Sequence, residues 1–336
     1  MQQLSLTQAI ELSQRALERA GAKVSMAKAA AEGLVRAEAQ GLASHGLIRT
    51  GQYVAHLRNG RVNGAAIPTV LKKQTASILI DANEGLAFEP CALAVQQAMA
   101  AAKAHGVCMA GVCRSHHAGV LVDFLRPVAQ ASMVGFAFSN SPAAMPVAGG
   151  KHPILGTNPM AAVFPRQEAD PLLIDMSLSE VARGKLMVAA KTGKPIPQGW
   201  ALDASGQPTT DPQAGLSGMM LALGGGAKGA TLALMVELLV AALLGSQFGF
   251  EASSFFQDEG NAPRLGQAFL VIDPEAFAGT SSFARRIEVI ISEMLIDEGV
   301  RLPGARRLQL EKLAHLNGLE VNLELYQQLQ KLANSD

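Results

Sequence analysis

The sequence predicts a mixed α/β protein with helical segments at both ends. Three observations support this prediction. The first 60 residues have the spacing of amphipathic helices, short apolar runs of strand length alternate with helical stretches through the middle, and helical patterns return over 285–298 and 309–333. Alternation of this kind is typical of α/β or α+β proteins, in which helices cover a sheet.

The N-terminal helices are marked by residues typical of helix ends. Ser5 and Gln8 have the spacing of a capping box at the start of the first helix. Ser25 is the predicted N-cap of the second helix. A third helix is predicted over 48–58, ending at the Asn-Gly pair that follows it.

Strands and helices alternate from residue 77 onward. Pro127 is expected to kink or end one helix, because proline cannot donate a backbone hydrogen bond there. The predicted strands are 77–82, 107–113, 134–141, 159–165 and 172–177, and the predicted helices among them are 91–106 and 121–132. Long glycine- and proline-rich segments occur at 141–159, 193–215 and 258–266, and long ordered loops are often functional.

Composition bounds the class of protein. With 336 residues, of which 49% are hydrophobic, the chain can bury a sizeable core, and its 28 basic and 28 acidic residues cancel. A neutral chain lacks the electrostatic footprint for nucleic acid or a membrane surface, so we expect small molecules or copies of the chain as partners. Cys91, Cys108 and Cys113 form no C-x-x-C pair and argue against a disulfide framework.

Two features bear on location. The N-terminal residues lack a basic region followed by an apolar one, so no signal peptide is predicted, and reduced thiols fit the cytoplasm. The most apolar stretch, 230–245, is shorter than a membrane span and carries Glu237 in its middle. We therefore expect a cytoplasmic protein with a buried helix at this position.

His45 and Arg49 stand four residues apart in ASHGLIRTGQY (43–53). On one helix this spacing puts both side chains on the same face, one turn apart. An arginine can hold a carboxylate with two hydrogen bonds, and a histidine can exchange a proton near neutral pH. With Ser44 orienting the imidazole, the pair could grip an acid and protonate a neighbouring atom. The alternative is a solvated helix face that carries both residues.

Two turns carry further polar side chains. RSHHAG (114–119) places two adjacent histidines after a predicted strand, a common position for site residues. Metal binding is the alternative, but these histidines and His152 lack zinc spacing, and the sequence has no H-E-x-x-H or C-x-x-C motif. ILGTNPM (154–160) offers Thr157 and Asn158 to a small polar ligand, or is simply a turn.

Two segments could bind the anionic part of a ligand. LGGGAKGATLAL (223–234) contains a G-x-G-x-x-G pattern, but the clear preceding strand of a Rossmann fingerprint is missing. We interpret it as a glycine-rich turn before a buried helix whose amino end favours an anion. RLPGARR (301–307) carries Arg301, Arg306 and Arg307, which could meet a phosphate or form a solvated basic turn.

Taken in order along the chain, these segments resemble the type-2 malate/L-lactate dehydrogenase family, a group of NAD(P)-dependent oxidoreductases without a Rossmann domain. The resemblance extends from about residue 5 to 310 and also includes GGKHPILGTNPMAAVFP, IDMSLSEVARGK and IPQGWALDASGQPTTDP. RSHHAG, SNSPAAMP and SLSEVARGK are similar to the branch of Δ1-piperideine-2-carboxylate/Δ1-pyrroline-2-carboxylate reductases. Those enzymes use NADPH to reduce a cyclic imino acid to L-pipecolate or L-proline. The G-x-G-x-x-G match would then be a coincidence in a different fold.

The resemblance implies roles for particular residues. The catalytic set is Ser44, His45 and Lys185, and the substrate-binding set is Arg49, Thr157, Arg183 and Gly184. The cofactor-binding set is His117, Ala118, Gly119, Val120, Leu121, Asp175, Met176, Ser177, Lys228, Gly229, Leu302, Pro303, Gly304, Ala305, Arg306, Arg307 and Leu308. Lys185 stands in the segment where an acidic partner of the Ser44/His45 pair is expected, and Asp175 is the nearest acid in sequence.

The implied cofactor is NADPH and the implied substrate a small cyclic imino acid. His45 would supply or maintain the proton on the ring nitrogen and Arg49 would hold the carboxylate, while arginines around 301–307 would favour NADPH over NADH. We expect a helical, substrate-binding and dimer-forming part (1–115 with 310–336) and an NADPH-binding part (116–309).

A homodimer without a nucleic-acid or membrane partner is also expected. Three alternatives to the imine reductase stay open. The first is an NAD(P)-dependent 2-hydroxy-acid dehydrogenase of the malate, lactate or ureidoglycolate type. The second is a non-catalytic binding or scaffold protein, and the third is a Rossmann dehydrogenase built on Gly224.

Overall fold

The computed structural model describes residues 1–334. The helices are α1 (Leu6–Arg19), α2 (Val24–Ala39), α3 (Arg49–Arg58), α4 (Phe88–His105), α5 (Leu121–Phe124), α6 (Arg126–Gln130), α7 (Arg183–Thr192), α8 (Pro212–Ser217), α9 (Ala227–Glu237), α10 (Thr280–Met294), α11 (Ala305–Asn317) and α12 (Leu323–Asn334). The strands are β1 (Gln2–Leu4), β2 (Thr69–Lys73), β3 (Ser77–Asp81), β4 (Val107–Ser115), β5 (Val134–Ser139), β6 (Met160–Phe164), β7 (Leu172–Met176), β8 (Ala201–Leu202), β9 (Pro208–Thr209), β10 (Met219–Met220), β11 (Leu265–Ile272) and β12 (Leu319–Val321). Short 3₁₀ turns lie at Ala43–His45, Leu223–Gly225, Gly249–Glu251 and Pro274–Ala276, and a π-helical turn at Leu238–Ala242 follows α9.

A mixed sheet forms the centre of the protein. Within residues 1–334 it has seven strands in the order β2-β3-β4-β11-β5-β6-β7. β3 and β4 are parallel and connected by α4, and the other neighbouring pairs are antiparallel. The predicted mixed α/β fold with helical ends is confirmed. The Rossmann alternative is wrong, because the loop at Gly224 follows β10 of a small antiparallel sheet, β10-β8-β9.

Three buried clusters surround the main sheet. The first joins α1, α2, α3 and α12 into a helical layer, the second lies between the sheet and α4, and the third lies between the other face of the sheet, α9 and α7. Phe269 and Val271 of β11 point into the second cluster and Ala268 into the third, because side chains alternate along a strand. The two-part division stays a prediction, although β4 ends at its first boundary, Ser115.

Several local predictions are confirmed. Ser5 and Gln8 form both halves of the capping box of α1. α3 ends before Asn59 and α4 before Gly106. The five predicted strands correspond to β3, β4, β5, β6 and β7. Pro127 lies in the first turn of α6, and the helical segment around it is divided into α5 and α6.

Three local features differ from prediction. Val24 begins α2 and Lys23 is its N-cap, so Ser25 does not cap this helix. The single helix expected over 309–333 is two helices, because Gly318 adopts a φ of +79° and lets the chain turn into β12. β11 is missing from the predicted strands because it is buried on both faces and lacks the polar alternation of a half-exposed strand.

The apolar stretch 230–245 lies in α9 and the π turn. No helix in the described part of the chain is long and apolar enough to cross a membrane. Glu237 is buried, and its carboxyl accepts hydrogen bonds from the Nδ2 atoms of Asn140 (3.0 Å) and Asn158 (2.7 Å) and from the N–H of Gly249 (2.7 Å). These donors make its burial tolerable. The remaining apolar side chains of the stretch are not all buried, and the large exposed ones are Leu234, Met235, Leu238 and Leu243.

Candidate active site

His45 and Arg49 do not share one helix. His45 ends the 3₁₀ turn Ala43–His45, and Arg49 begins α3. Gly46 interrupts the helical path with extended dihedrals, and a Cβ there would lie 2.1 Å from the Oε2 atom of Glu38. The same Oε2 accepts the N–H of Leu47 at 2.9 Å. Glu38 therefore holds a tight turn between the two predicted site residues.

Hydrogen bonds nevertheless bring the two side chains together. Arg49 folds back and donates from Nε to the carbonyl oxygen of Ser44 at 2.7 Å, and its Nη1 donates to Oε1 of Gln52 at 2.6 Å. The Oγ of Ser44 lies 3.0 Å from Nδ1 of His45. This contact leaves Nε2 of His45 as the nitrogen that can exchange a proton with a ligand.

The imidazole of His45 is held in its neutral form. Its ring stacks on His117 with centroids 5.5 Å apart, and Nδ1 of His117 lies 2.6 Å from the hydroxyl of Tyr53. Burial, together with the positive charges of Arg49 and Arg307, lowers the pKa of His45 to about 4. Burial also places the pKa of His117 well below its usual range. At neutral pH, His45 can therefore accept a proton from a bound ligand.

His116 faces away from His45 into a second buried group. Its Nε2 lies 2.9 Å from Nδ1 of His56, whose Nε2 lies 2.9 Å from Nη1 of Arg61. Nδ1 of His116 is buried without a partner. Within residues 1–334, no three histidine, cysteine or acidic side chains are grouped so as to hold a metal ion.

Three of the predicted cofactor segments converge beside His45. Arg307, in the first turn of α11, donates from Nη1 to Oδ2 of Asp175 at 2.8 Å and from Nη2 to its carbonyl oxygen at 3.2 Å. The backbone N–H of Val122, in α5 directly after the 117–121 segment, also bonds Asp175. Burial raises the pKa of Asp175, although Arg307 opposes that rise. The end of β7, the 117–121 turn and the 302–308 turn thus meet.

Thr157 lies next to these segments. Its carbonyl oxygen accepts the N–H of Leu178 at 2.8 Å and the hydroxyl of Ser177 at 3.5 Å. Its own hydroxyl lies 3.3 Å from the hydroxyl of Ser141. Met176, between Asp175 and Ser177, is exposed. Thr157, a predicted substrate-binding residue, therefore contacts Ser177, one of the predicted nicotinamide-side residues.

The glycine-rich loop is bonded to the segment that follows Ser177. The N–H of Gly224 donates to Oε2 of Glu180 at 2.6 Å, and Leu223 bonds the backbone of Leu178. A Cβ at Gly229 would lie 2.0 Å from the carbonyl oxygen of Leu223, so only glycine fits there. Lys228 is exposed beside the amino end of α9, which has no side-chain cap. Free amide groups and an adjacent lysine suit a phosphate group.

The 302–308 turn lines a cleft with a volume of about 870 Å³. A Cβ at Gly304 would lie 2.5 Å from Cβ of Leu173, so this turn packs tightly against β7. Leu302, Pro303, Ala305 and Leu308 border the cleft. Arg306 is exposed, whereas Arg307 is already paired with Asp175.

The remaining predicted residues lie at the start of α7. The guanidinium of Arg183 lies 5.4 Å from the ring centroid of Phe256, and that of Arg49 lies 5.1 Å from the same centroid. Gly184 borders open space. Lys185 is exposed, and its Nζ lies over the ring of Trp200 at 5.9 Å rather than beside Ser44 or His45. The catalytic role of Lys185 stays a prediction.

Tyr53, Phe255 and Phe256 belong to the site but are not among the predicted residues. Phe255 packs on the rings of His116 and His117 at 5.1 and 5.3 Å. Two adjacent phenylalanines at the edge of the glycine- and proline-rich segment 258–266, in a chain with only 4% aromatic residues, were the available signal.

The chain matches known proteins over nearly its whole length. The model of the malate/L-lactate dehydrogenase family matches residues 4–330. The chain belongs to the malate/L-lactate dehydrogenase family. The family predicted from the sequence is confirmed, and so is its mixed, non-Rossmann fold.

Two relatives of this malate/L-lactate dehydrogenase family member differ in substrate. The (2R)-3-sulfolactate dehydrogenase (NADP(+)) of Chromohalobacter salexigens is 48% identical over 92% of each chain. The Δ1-pyrroline-2-carboxylate/Δ1-piperideine-2-carboxylate reductase of Pseudomonas putida is 34% identical over 97% of this chain and 95% of its own. Among solved structures, the sulfolactate dehydrogenase of Methanocaldococcus jannaschii superposes with a TM-score of 0.91 at 30% identity, covering 99% and 97% of the two chains.

Proposed function

We propose that this dehydrogenase interconverts (2R)-3-sulfolactate and 3-sulfopyruvate, using NADP(H). The observation that supports this substrate is the pair of arginines, Arg49 and Arg183, that face one ring and form no ion pair with any carboxylate in residues 1–334. A substrate with a carboxylate and a sulfonate offers one anion to each guanidinium. The 48% identity to a sulfolactate dehydrogenase supports the same choice. The imine reductase activity expected from the sequence is the second candidate, because the reductase relative has the lower identity, 34%.

The cofactor is NADP(H), and the residues present fit it. Gly224 and Gly225 border open space at the uncapped amino end of α9, where a diphosphate is favoured. Lys228 would add a positive charge to that end. Asp175 and Ser177 would lie towards the nicotinamide, and Leu302 and Leu308 towards the adenine. When bound, the cofactor supplies or accepts the hydride.

The protein's own residues would bind the hydroxy acid and move one proton. Arg49 would hold the carboxylate next to the reacting carbon, and Arg183 the sulfonate. Nε2 of His45 would take the proton of the C2 hydroxyl during oxidation and return it to the carbonyl oxygen during reduction. Ser44, bonded to Nδ1, would keep the imidazole in position, and the stacked ring of His117 would exclude water from one side.

A substrate panel tests the proposal. Purified protein is mixed with NADPH and 3-sulfopyruvate, pyruvate, Δ1-piperideine-2-carboxylate or Δ1-pyrroline-2-carboxylate, and loss of absorbance at the NADPH band is followed. We expect the highest kcat/KM with 3-sulfopyruvate. A higher kcat/KM with either cyclic imine would contradict the proposal and support the imine reductase, which the Pseudomonas putida relative favours.

His45→Ala tests the proton-transfer role. Turnover should fall about 10²- to 10⁴-fold, the usual contribution of a positioned acid or base, while the dissociation constant of NADPH changes little. The exposed His315→Ala in α11 is the matched control and should behave like the wild type. Near-normal turnover of His45→Ala would show that another group carries the proton.

We further propose that the enzyme is a cytoplasmic homodimer. The exposed apolar side chains Leu234, Met235, Leu238 and Leu243 would be covered by the second subunit, since large apolar patches on a surface usually mark an interface. Light scattering should give twice the mass of the 35.1 kDa chain. A monomer mass at micromolar concentration would refute the dimer.

A further inference from the structure

A buried arginine holds the segment 253–261 in one shape. The side chain of Arg61 is 1% exposed and donates to the main-chain carbonyl oxygens of Ser253, Ser254 and Asn261, each at 3.1 Å, and also to that of Gln257. A planar guanidinium with five donors can satisfy several carbonyls at once, which the single ammonium group of a lysine does less well. Arg61 therefore makes most of the hydrogen bonds from outside to the backbone of this segment, while His56 and Asn59 bond the carbonyl oxygens of Gln257 and Asp258.

The two phenylalanines of the segment point to different parts of the site. Phe255 is buried against the rings of His116 and His117 and anchors the segment. Phe256 is 52% exposed, and its ring has Arg49 at 5.1 Å and Arg183 at 5.4 Å from the centroid. A half-exposed aromatic ring that contacts two cations, rather than the core, is positioned for a ligand.

The ring offers a physical means of keeping two like charges close together. Two guanidinium groups repel each other, but each is attracted by the electron-rich face of an aromatic ring. Arg183 has one further polar contact, its Nη2 donating to the carbonyl oxygen of Leu216 at 3.0 Å. Phe256 therefore helps to set the direction and separation of both groups.

We propose that Phe256 is a specificity-determining residue that arranges Arg49 and Arg183 for a substrate with two anionic groups, and that Arg61 is the positioning residue that holds Phe256 in place. The inference rests on the proposed function and extends it. In 3-sulfolactate two carbon atoms separate the carboxyl carbon from the sulfur, so both anions are within reach of neighbouring arginines. A monoanion such as lactate needs only Arg49.

The test compares a dianionic and a monoanionic substrate in matched variants. Phe256→Leu keeps an apolar side chain but removes the ring. We expect it to lower kcat/KM for 3-sulfopyruvate about tenfold, through KM, and that for pyruvate less than about threefold. Phe277→Leu is the control, because Phe277 is exposed and has no ring or cation contact among the described residues, and it should leave both values unchanged.

Arg61→Lys tests the positioning role. Like Phe256→Leu, it should lower kcat/KM for 3-sulfopyruvate more than kcat/KM for pyruvate. The double variant of Arg61→Lys and Phe256→Leu should show no additional loss, because both changes act on one ring. Equal losses for both substrates in Phe256→Leu, or additive losses in the double variant, would overturn the inference while leaving the proposed function intact.

Inhibition constants separate this inference from the choice of substrate. Sulfoacetate is a dianion and acetate a monoanion, and neither can react. If the wild type prefers a cyclic imine, the proposed function is wrong. The inhibition constants of sulfoacetate and acetate are then measured with the cyclic imine as the substrate. Tighter inhibition by sulfoacetate that is lost in Phe256→Leu supports a dianion site. Equal inhibition by the two compounds, or a preference that Phe256→Leu retains, overturns it.

Discussion

Glu237 sits in the middle of the most apolar stretch of the chain, and Glu237→Leu should destabilise the protein by about 4 kcal/mol. The change leaves three buried N–H groups without an acceptor: those of the Asn140 and Asn158 amides and of the Gly249 backbone. Each such group costs about 1–3 kcal/mol. The two amides keep their other bonds, to the carbonyl oxygens of Gln247 and Ala233, which places the sum in the lower half of that range.

Glu237→Gln sharpens the test. Oε1 of Glu237 accepts from Asn140 and Gly249, and Oε2 accepts from Asn158. Glutamine replaces only one of these two oxygens with an NH₂ group, so at least one of the three hydrogen bonds is kept. We expect a loss of about 1–2 kcal/mol, the value of roughly one hydrogen bond. Urea unfolding followed by circular dichroism gives the free energies, with the exposed Glu11→Leu in α1 as the control, expected within about 0.5 kcal/mol of wild type. Equal stabilities of Glu237→Leu and Glu237→Gln would refute the hydrogen-bond argument.

Three further predictions concern pH, backbone fit and thiols. Burial beside Arg61 lowers the pKa of His56 to about 4 from an ordinary 6.5, so the unfolded chain takes up a proton that the native state excludes, and stability falls as pH decreases from 6.5 towards 4. Between pH 8 and pH 5, His56 should account for about 2 kcal/mol of the loss measured by urea unfolding, in addition to the losses from His45 and His117, whose pKa values burial also lowers. His56→Gln should therefore have a shallower pH slope than the wild type, and an unchanged slope would contradict this assignment. Gly229→Ala should lower the melting temperature by several degrees, because its Cβ would lie 2.0 Å from the carbonyl oxygen of Leu223. Gly226→Ala is the control and should not lower it, because the nearest atom to its Cβ would be 3.6 Å away. Similar melting temperatures of the two variants would count against the close contact. The three buried thiols should react with Ellman's reagent only after unfolding, and rapid labelling of the native protein would show that one of them is accessible.

Much of the local structure follows from nearby residues. The capping box at Ser5, the helix end at Gly106 and the strands β3 to β7 depend on short-range rules, so they were predictable. The break at Gly46 was not, because it depends on the carboxyl of Glu38, which is bonded to Leu47. β11 was not predicted for a related reason. Its residue pattern reflects burial on both faces, which only the completed sheet determines.

The order of motifs along the chain was enough to identify the family, and the imidazole of His45 and the guanidinium of Arg49 were recognisable from their chemistry alone. Sequence spacing did not determine what they face. Arg183 and Phe256 lie far from them in the chain and reach the same place only through tertiary packing. Substrate choice within one family depends on that second group of residues, because selectivity arises from the distance and direction between charges, and folding alone sets these for residues distant in sequence.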